Sequence, residues 1–442
     1  MKRSPAALAL LAGLVASPAA GRDAGGGGTG LDLQSLAPWQ GRIVRSVGLR
    51  GNNVTREKVI MREVRTEVGV PLRLETLMAD VVRLENLAIF SAIHVEAEGA
   101  GADGVQLLYA VKESPSWLPV LALQYSEENG VSVGPGLSAL NLAGRGIKLS
   151  ARAYFGGTTQ YWANFDWPWA YGAHGSVKAF AAHRERDDTV RDFQETSDEL
   201  TLKSGRYLGE HGRASVAVSY FGMRSDTDGI TLTPDNDDAL VRAGFSLGWD
   251  TRDVWRNPRR GWQNELELWR TGGDGDFWSM NLDLRRFVPT GVRRRLLLGG
   301  LLSLQSGTLG ENLPVYLDYR MGGANTIRGY DVELGRQISG KNQLIGTAEH
   351  SWTLMPLRRV DLSFLSFRVG VELTAFADAG IAWSEPNEFA MNRTRAGLGG
   401  GVRLLVPGAE MLRLDVGWSP EGGTHLHFGA RSKPTATRSR LR

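Results

Sequence analysis

From residue 117 to about residue 432 the chain alternates apolar and polar side chains with a period of two, in segments of roughly ten residues separated by Gly, Asp, Asn and Pro clusters. Tyr161, Ala163, Phe165 and Trp167 share one face, with Asn164 and Asp166 on the other. Trp278, Met280, Leu282 and Leu284 oppose Ser279, Asn281, Asp283 and Arg285, and Leu412, Leu414, Val416 and Trp418 oppose Arg413, Asp415 and Gly417. This period belongs to β-strands with two unlike faces. After the N-terminus no apolar run approaches 20 residues, so a membrane-spanning helix is not expected. A soluble sandwich and a transmembrane barrel both alternate, with opposite polarity: a sandwich turns its polar face outward, a barrel its apolar face.

About sixteen strands can be placed, starting near residues 117, 129, 146, 159, 174, 191, 212, 238, 262, 276, 293, 342, 367, 394, 410 and 424. The even number suits a bacterial barrel. Backbone groups left unpaired in lipid are costly, so the sheet is expected to close, the first strand pairing with the sixteenth. The 56 glycines and 13 tryptophans suit tight turns and aromatic girdles. There is no cysteine, which removes disulfides, thiolate catalysis and cysteine-bound metals. The formal charge of +3, with both signs interspersed, gives no sign of a nucleic-acid partner.

Residues 1–20 read as a signal peptide: a basic Met1-Lys2-Arg3, an apolar stretch from Ala6 to Ala16, and small residues for cleavage after Ala19 or Ala20. Residues 21–41 read as a glycine-rich linker, and residues 433–442 as a basic tail. Between linker and strands, residues 42–114 read as a small α+β domain. Ile43 to Val47 forms a strand ending at Gly51-Asn52. Thr55 is placed to cap a helix carrying Ile60, Val64 and Val68 on one face, closed by Gly69. Leu74, Leu77, Met78, Val81 and Leu84 follow a second helical stripe, and two strands complete the unit around Val95 and Val111.

The pattern Gly51-Asn52, Gly69, Leu84, Leu87, Phe90, Val95 and Val111-Lys112-Glu113 resembles a POTRA domain. Further on, the longest inter-strand segment, 306–340, contains Ile327-Arg328-Gly329-Tyr330, and the thirteenth strand carries Phe376-Ala377-Asp378-Ala379-Gly380. These two motifs resemble the paired signatures of the BamA/TamA-like outer-membrane insertase superfamily, built from POTRA domains and a surface-antigen type barrel. The resemblance implies that the sixth outer loop folds into the lumen, where its arginine meets an aspartate on the barrel wall. Arg328 and Asp378 hold those positions. The period of two places Phe376, Asp378 and Gly380 together on the luminal face, with Glu349 of strand twelve as a second carboxylate. A guanidinium can bridge carboxylates with fixed geometry, Gly329 frees the backbone to turn, and Tyr330 and Phe376 can pack beside the pair.

The expected fold is mostly β: an N-terminal α+β POTRA domain (42–114), then a 16-stranded antiparallel transmembrane β-barrel (115–432) in a bacterial outer membrane, with the small domain in the periplasm. The expected role is assembly, insertion or translocation of proteins. Expected partners are outer-membrane lipid and lipopolysaccharide, unfolded client proteins, and periplasmic or lipoprotein accessory subunits. The alternatives are a two-partner secretion transporter and a passive pore or structural barrel. No catalytic constellation, cofactor or metal site is expected, and His425 and His427 alone do not make one. The segments Asn141 to Gly146 and Asp250 to Gly261 resemble family turns and are read as turn chemistry alone. Two departures from the family stand out: one POTRA domain rather than several, and a basic C-terminus rather than an aromatic one.

Overall fold

The structure, a computed structural model, describes residues 33–429 apart from 127, 173, 255–256, 332–338, 363–364 and 406–411. The signal peptide, most of the linker and the basic tail lie outside the described residues.

A single helical turn, α1 (Leu33–Leu36), precedes a three-stranded sheet made of β1 (Ile43–Arg50), β2 (Phe90–Ala100) and β3 (Gly104–Glu113). The sheet order is β1-β3-β2, with β1 and β3 parallel and β2 and β3 antiparallel. Two helices, α2 (Glu57–Met61) and α3 (Leu74–Leu87), pack on it. Val44, Ile60, Leu77, Leu84, Leu107 and Tyr109 are in the core. The helical stripe of α3 is as expected except at Met78, which is exposed. The first helix is shorter than the sequence suggests. The buried carboxylate of Asp80 accepts the backbone N–H groups of Arg65 and Thr66 at 2.8 and 3.1 Å, which pulls this segment out of helical geometry. Val68 is consequently exposed. Thr55 makes no cap; its hydroxyl is used elsewhere, as described below.

The remaining strands form one antiparallel sheet with sixteen members. They are β4 (Trp117–Ser126), β5 (Gly130–Leu142), β6 (Ile147–Gly156), β7 (Thr159–Tyr171), β8 (Gly175–Asp188), β9 (Phe193–Leu208), β10 (Gly212–Ser225) and β11 (Asp237–Asp250). Then come β12 (Gly261–Gly273), β13 (Phe277–Gly291) and β14 (Arg294–Gln305). Two short strands, β15 (Tyr319–Arg320) and β16 (Ser339–Gly340), pair with each other within the long loop. The sheet resumes with β17 (Asn342–Leu362), β18 (Leu365–Trp383), β19 (Arg395–Leu405), β20 (Leu412–Ser419) and β21 (Gly423–Gly429). Each barrel strand begins within two residues of its expected position.

The polarity settles barrel against sandwich. Tyr161, Leu202, Val218, Trp278, Val416 and Leu426 are exposed on the outer wall, whereas Ser279, Asn281, Asp283, Arg285, Arg413 and Asp415 are buried inside. An apolar exterior around a polar interior is the arrangement that lipid selects. Among the described residues no helix is long and apolar enough to cross a membrane.

Closure departs from expectation. Each strand is hydrogen-bonded to its neighbour from β4 round to β21, but no ladder joins β21 to β4 among the described residues. The two edges meet through the rings of Tyr125 and Phe428, 6.3 Å apart and edge to face. β4 contains Pro119, which lacks an N–H donor, a residue sheets confine to their edges. β21 spans only seven residues.

The small domain sits at one end of the barrel, here the near end. Thr55 Oγ1 accepts a hydrogen bond from Asn141 Nδ2 at 2.8 Å, and the Arg56 amide donates to the Gly144 carbonyl at 3.0 Å. The Arg62 guanidinium lies 4.5 Å over the Trp169 ring, and Arg65 pairs with Glu210. Gly144, at φ +67°, lies so close to the Val54 carbonyl that a Cβ would collide with it. The 141–146 turn thus does more than reverse the chain: it seats the small domain.

Candidate functional site: a loop clamp in the lumen

The loop from β14 to β17 enters the barrel from the far end. Its first part packs Leu313, Tyr316 and Leu317 against Phe221, Leu240 and Phe277 of the wall. Arg191 holds Asp318 through two bonds of 2.7 and 3.0 Å, and Arg320 holds Asp188 at 3.0 and 3.1 Å. Next comes a tight turn closed by Thr326, whose hydroxyl bonds Gly322, and by the Gly323 amide donating to the Tyr330 carbonyl at 2.8 Å.

Arg328 projects from this turn into the wall and is fully buried. Its Nε and Nη2 donate to the two oxygens of Asp378 at 2.7 and 2.9 Å, and its backbone N–H adds a third bond at 3.2 Å. Nη1 reaches Glu349 at 2.9 Å and Asp415 at 3.3 Å. The guanidinium also lies over the face of Phe376, 3.4 Å from its centroid. Register explains this gathering. Asp378 on β18 is paired with Thr347 on β17, Phe376 with Glu349, and Asp378 on its other side with Gly397 of β19. Alternation sends these side chains inward together.

Tyr330 does not stack on the guanidinium. It joins Ile327, Met321, Leu301, Ile345 and Ala382 in an apolar cluster at the root of the loop. Gly380 lies under Ile327, 3.2 Å from the Ile327 methyl to where its Cβ would be. Gly329, at φ +111°, faces the Trp418 backbone, where a Cβ would sit 2.7 Å from the carbonyl. All eight residues singled out in the sequence therefore lie at or beside this contact.

Several participants were missed. Arg403 bridges Glu349 at 2.8 Å and Asp415, so three carboxylates are balanced by more than one arginine. Arg413 donates to the Ala324 carbonyl at 2.5 Å and to Asn325. Thr347 bonds Asp378 at 2.5 Å. Ser419 donates to the Gly329 carbonyl at 2.6 Å, and His427 Nε2 accepts the Gly329 N–H at 3.2 Å. Gly397 and Gly417 form the bed: a Cβ at 397 would overlap the Arg328 carbonyl, and one at 417 would lie 2.6 Å from the Gly329 nitrogen. Period-two parity marks Arg403, Arg413, Asp415 and His427 as luminal. It gives no signal of what they meet, because that depends on reach across several strands for Arg403 and on how the loop lies for Arg413, Asp415 and His427. Among the described residues no group of three or more His, Asp or Glu could hold a metal ion.

The arrangement is a clamp: a bidentate arginine–carboxylate contact, screened from water and backed by further charges, fixing a loop against five strands. A barrel with an internal loop held in this way defines a class of outer-membrane protein. The family model for the Omp85 superfamily domain matches residues 141–430, and the chain belongs to that superfamily. It is a BamA/TamA-like member and resides in the outer membrane. It is similar to the outer membrane protein assembly factor BamA of Nitratidesulfovibrio vulgaris, 26% identical over 372 residues, covering 78% of this chain and 44% of that protein. Against BamA of Neisseria meningitidis the identity is 23% over 395 residues, 79% of this chain and 47% of that one. The chain thus spans under half the length of these curated relatives. Among solved structures, BamA from Haemophilus ducreyi lacking POTRA domains 1–3 superposes with a TM-score of 0.57 at 16% identity, covering 88% of this chain and 83% of that one. CdiB from Acinetobacter baumannii gives 0.56 at 14%, covering 90% and 76%. These likenesses show the fold alone.

Proposed function

We propose that this protein assists the assembly or insertion of other proteins at the outer membrane. Residues 42–114 act as a POTRA domain in the periplasm, and the barrel opens sideways between β4 and β21. The observation that carries this reading is the seam: among the described residues, two strand edges meet at the Tyr125–Phe428 ring contact without a ladder. An unpaired edge is a template for an incoming strand. The free edge of β2 offers a second such template on the small domain. Unfolded clients, lipid with lipopolysaccharide, and accessory subunits are the partners this role requires. No catalytic step and no cofactor enter it. Passage of a partner through the lumen, as in a two-partner secretion transporter, is the alternative; it would have to displace the buried clamp and the packed loop.

The test uses the absence of native cysteine. Tyr125→Cys with Phe428→Cys should form a disulfide across the seam. Client assembly in cells depleted of the wild-type protein should stop under oxidation and return on adding reductant. Undiminished assembly with the seam locked would falsify lateral opening.

A further inference from the structure

At the near end, two adjacent turns carry an unusual concentration of arginine. The β11–β12 turn contributes Arg259 and Arg260, the β13–β14 turn Arg293 and Arg294, and all four are exposed. A fifth, Arg286, is half-buried on the outer wall, in register with Trp262 of β12 and Leu298 of β14. Its guanidinium lies 4.8 Å over the Trp262 ring. None of the five forms an ion pair among the described residues.

The turns are built as one platform. Arg259 Nη2 donates to the Gly291 carbonyl at 2.8 Å, tying the first turn to the second. Two carboxylates stand in and beside the first turn, and local bonds hold both. Asp253 accepts the backbone amides of Val254, Arg259 and Arg260 at 2.9, 2.9 and 3.3 Å. Asp250 takes the side chain of Arg252 at 2.9 and 2.6 Å. With one such carboxylate, Asp253, against five arginines, the patch keeps a net positive charge beside Trp249 and Trp262, both exposed on the outer wall. Aromatic residues at strand ends mark the membrane interface. A charged residue on the lipid-facing wall is tolerated where it reaches headgroups, and Arg286 has the aromatic support to do so.

We infer that this platform binds the phosphate headgroup of an anionic phospholipid in the leaflet at the barrel's near end. Arg286 on the wall and Arg294 at the start of β14 both face the headgroup region, while Arg259, Arg260 and Arg293 supply the surrounding positive field. Assigning that leaflet to the periplasmic side rests on the orientation proposed above; the binding itself does not.

Val292, at the tip of the second turn and 87% exposed, provides the probe position. Val292→Cys carrying a benzophenone is reconstituted into vesicles of equimolar phosphatidylglycerol and phosphatidylcholine, irradiated, and the lipid adducts weighed. The phosphatidylglycerol adduct should exceed the phosphatidylcholine adduct by about fivefold, the preference that one well-placed basic residue confers near a membrane. Arg286→Gln with Arg294→Gln should bring the ratio toward one, with folding of the variant checked by its heat-modifiable mobility. Equal adducts in the parent protein overturn the inference, and so does a preference that survives in the variant. Equal adducts accompanied by retention of a polyglutamate peptide on the parent but not the variant would assign the patch to an acidic protein segment instead. None of these outcomes depends on client assembly, so failure here is distinguishable from failure of the seam test.

Discussion

Arg328 shows what one side chain can organise. Its guanidinium donates four hydrogen bonds to Asp378, Glu349 and Asp415 and a longer fifth to Thr347, while its flat face covers Phe376. Lysine offers neither the fork nor the stacking plane. Removing one partner of a buried pair strands the other, at a cost of about 3 kcal/mol. Arg328→Ala and Asp378→Ala should each lower the unfolding free energy in detergent by roughly this amount, and the double variant by clearly less than the sum. Additive losses would mean that the contact is incidental. This anchor was foreseen through the resemblance of two short, contiguous motifs to a known pair; strand parity by itself did no more than place Phe376, Asp378, Gly380 and Glu349 on the luminal face. Arg403, Asp415 and His427 were not foreseen, although their parity was visible. Their partners lie 54, 87 and 98 positions away: Arg403 reaches across the wall to β17, and Asp415 and His427 meet a loop whose path no local pattern encodes.

Among the elements, β21 stands out. Residue 427 faces inward and grips the loop at Gly329, while residue 428 faces the seam and meets Tyr125. Neighbouring side chains of one strand thus touch both the clamp and the opening. Glutamine can place an acceptor where the imidazole has one; phenylalanine fills the space without it. His427→Gln should keep the loop protected from added protease, whereas His427→Phe should expose residues 306–341 to cleavage, together with faster disulfide exchange between cysteines at 125 and 428. On the small domain, the loop that presents Thr55 is held by Glu113, which accepts the Val54 amide at 3.2 and 3.0 Å and the Thr55 amide at 2.6 Å. Burial opposes its ionisation, but these bonds outweigh it and hold the carboxyl below its ordinary value. A depressed carboxyl stabilises above the unfolded value of about 4.3 and loses its contribution as pH falls through the folded value. Glu113→Gln should cost under about 1 kcal/mol at neutral pH, since the carboxyl is largely open to solvent, and thermal melts of parent and variant should converge below about pH 4. Strand positions were readable because alternation is local. The failed helix beyond Met61 was not, because it is Asp80, fifteen residues along the chain from Arg65, that claims its amides.

Across the whole molecule, the loop runs from the far ends of β8 to β13, where Asp188, Leu240 and Phe277 receive it, to β17 through β21. It is a chord across a ring. A chord fixes the separation of the two points it joins and leaves the rest of the circumference free to bend. One of those points is β21 itself, next to the gap. In the proposed opening the lip that travels is therefore β4, and β4 is continuous with the small domain, whose contacts fall at the ends of β5 and β7 and on the turn after β9. Spin labels make the asymmetry measurable: the distance from residue 121 to residue 241 should be more broadly distributed than that from residue 426 to residue 241, by pulsed electron resonance. Equal widths would place the moving lip elsewhere. If the barrel opens as proposed, the mechanics resemble a door with one fixed jamb, and the small domain joined to β4 is its handle.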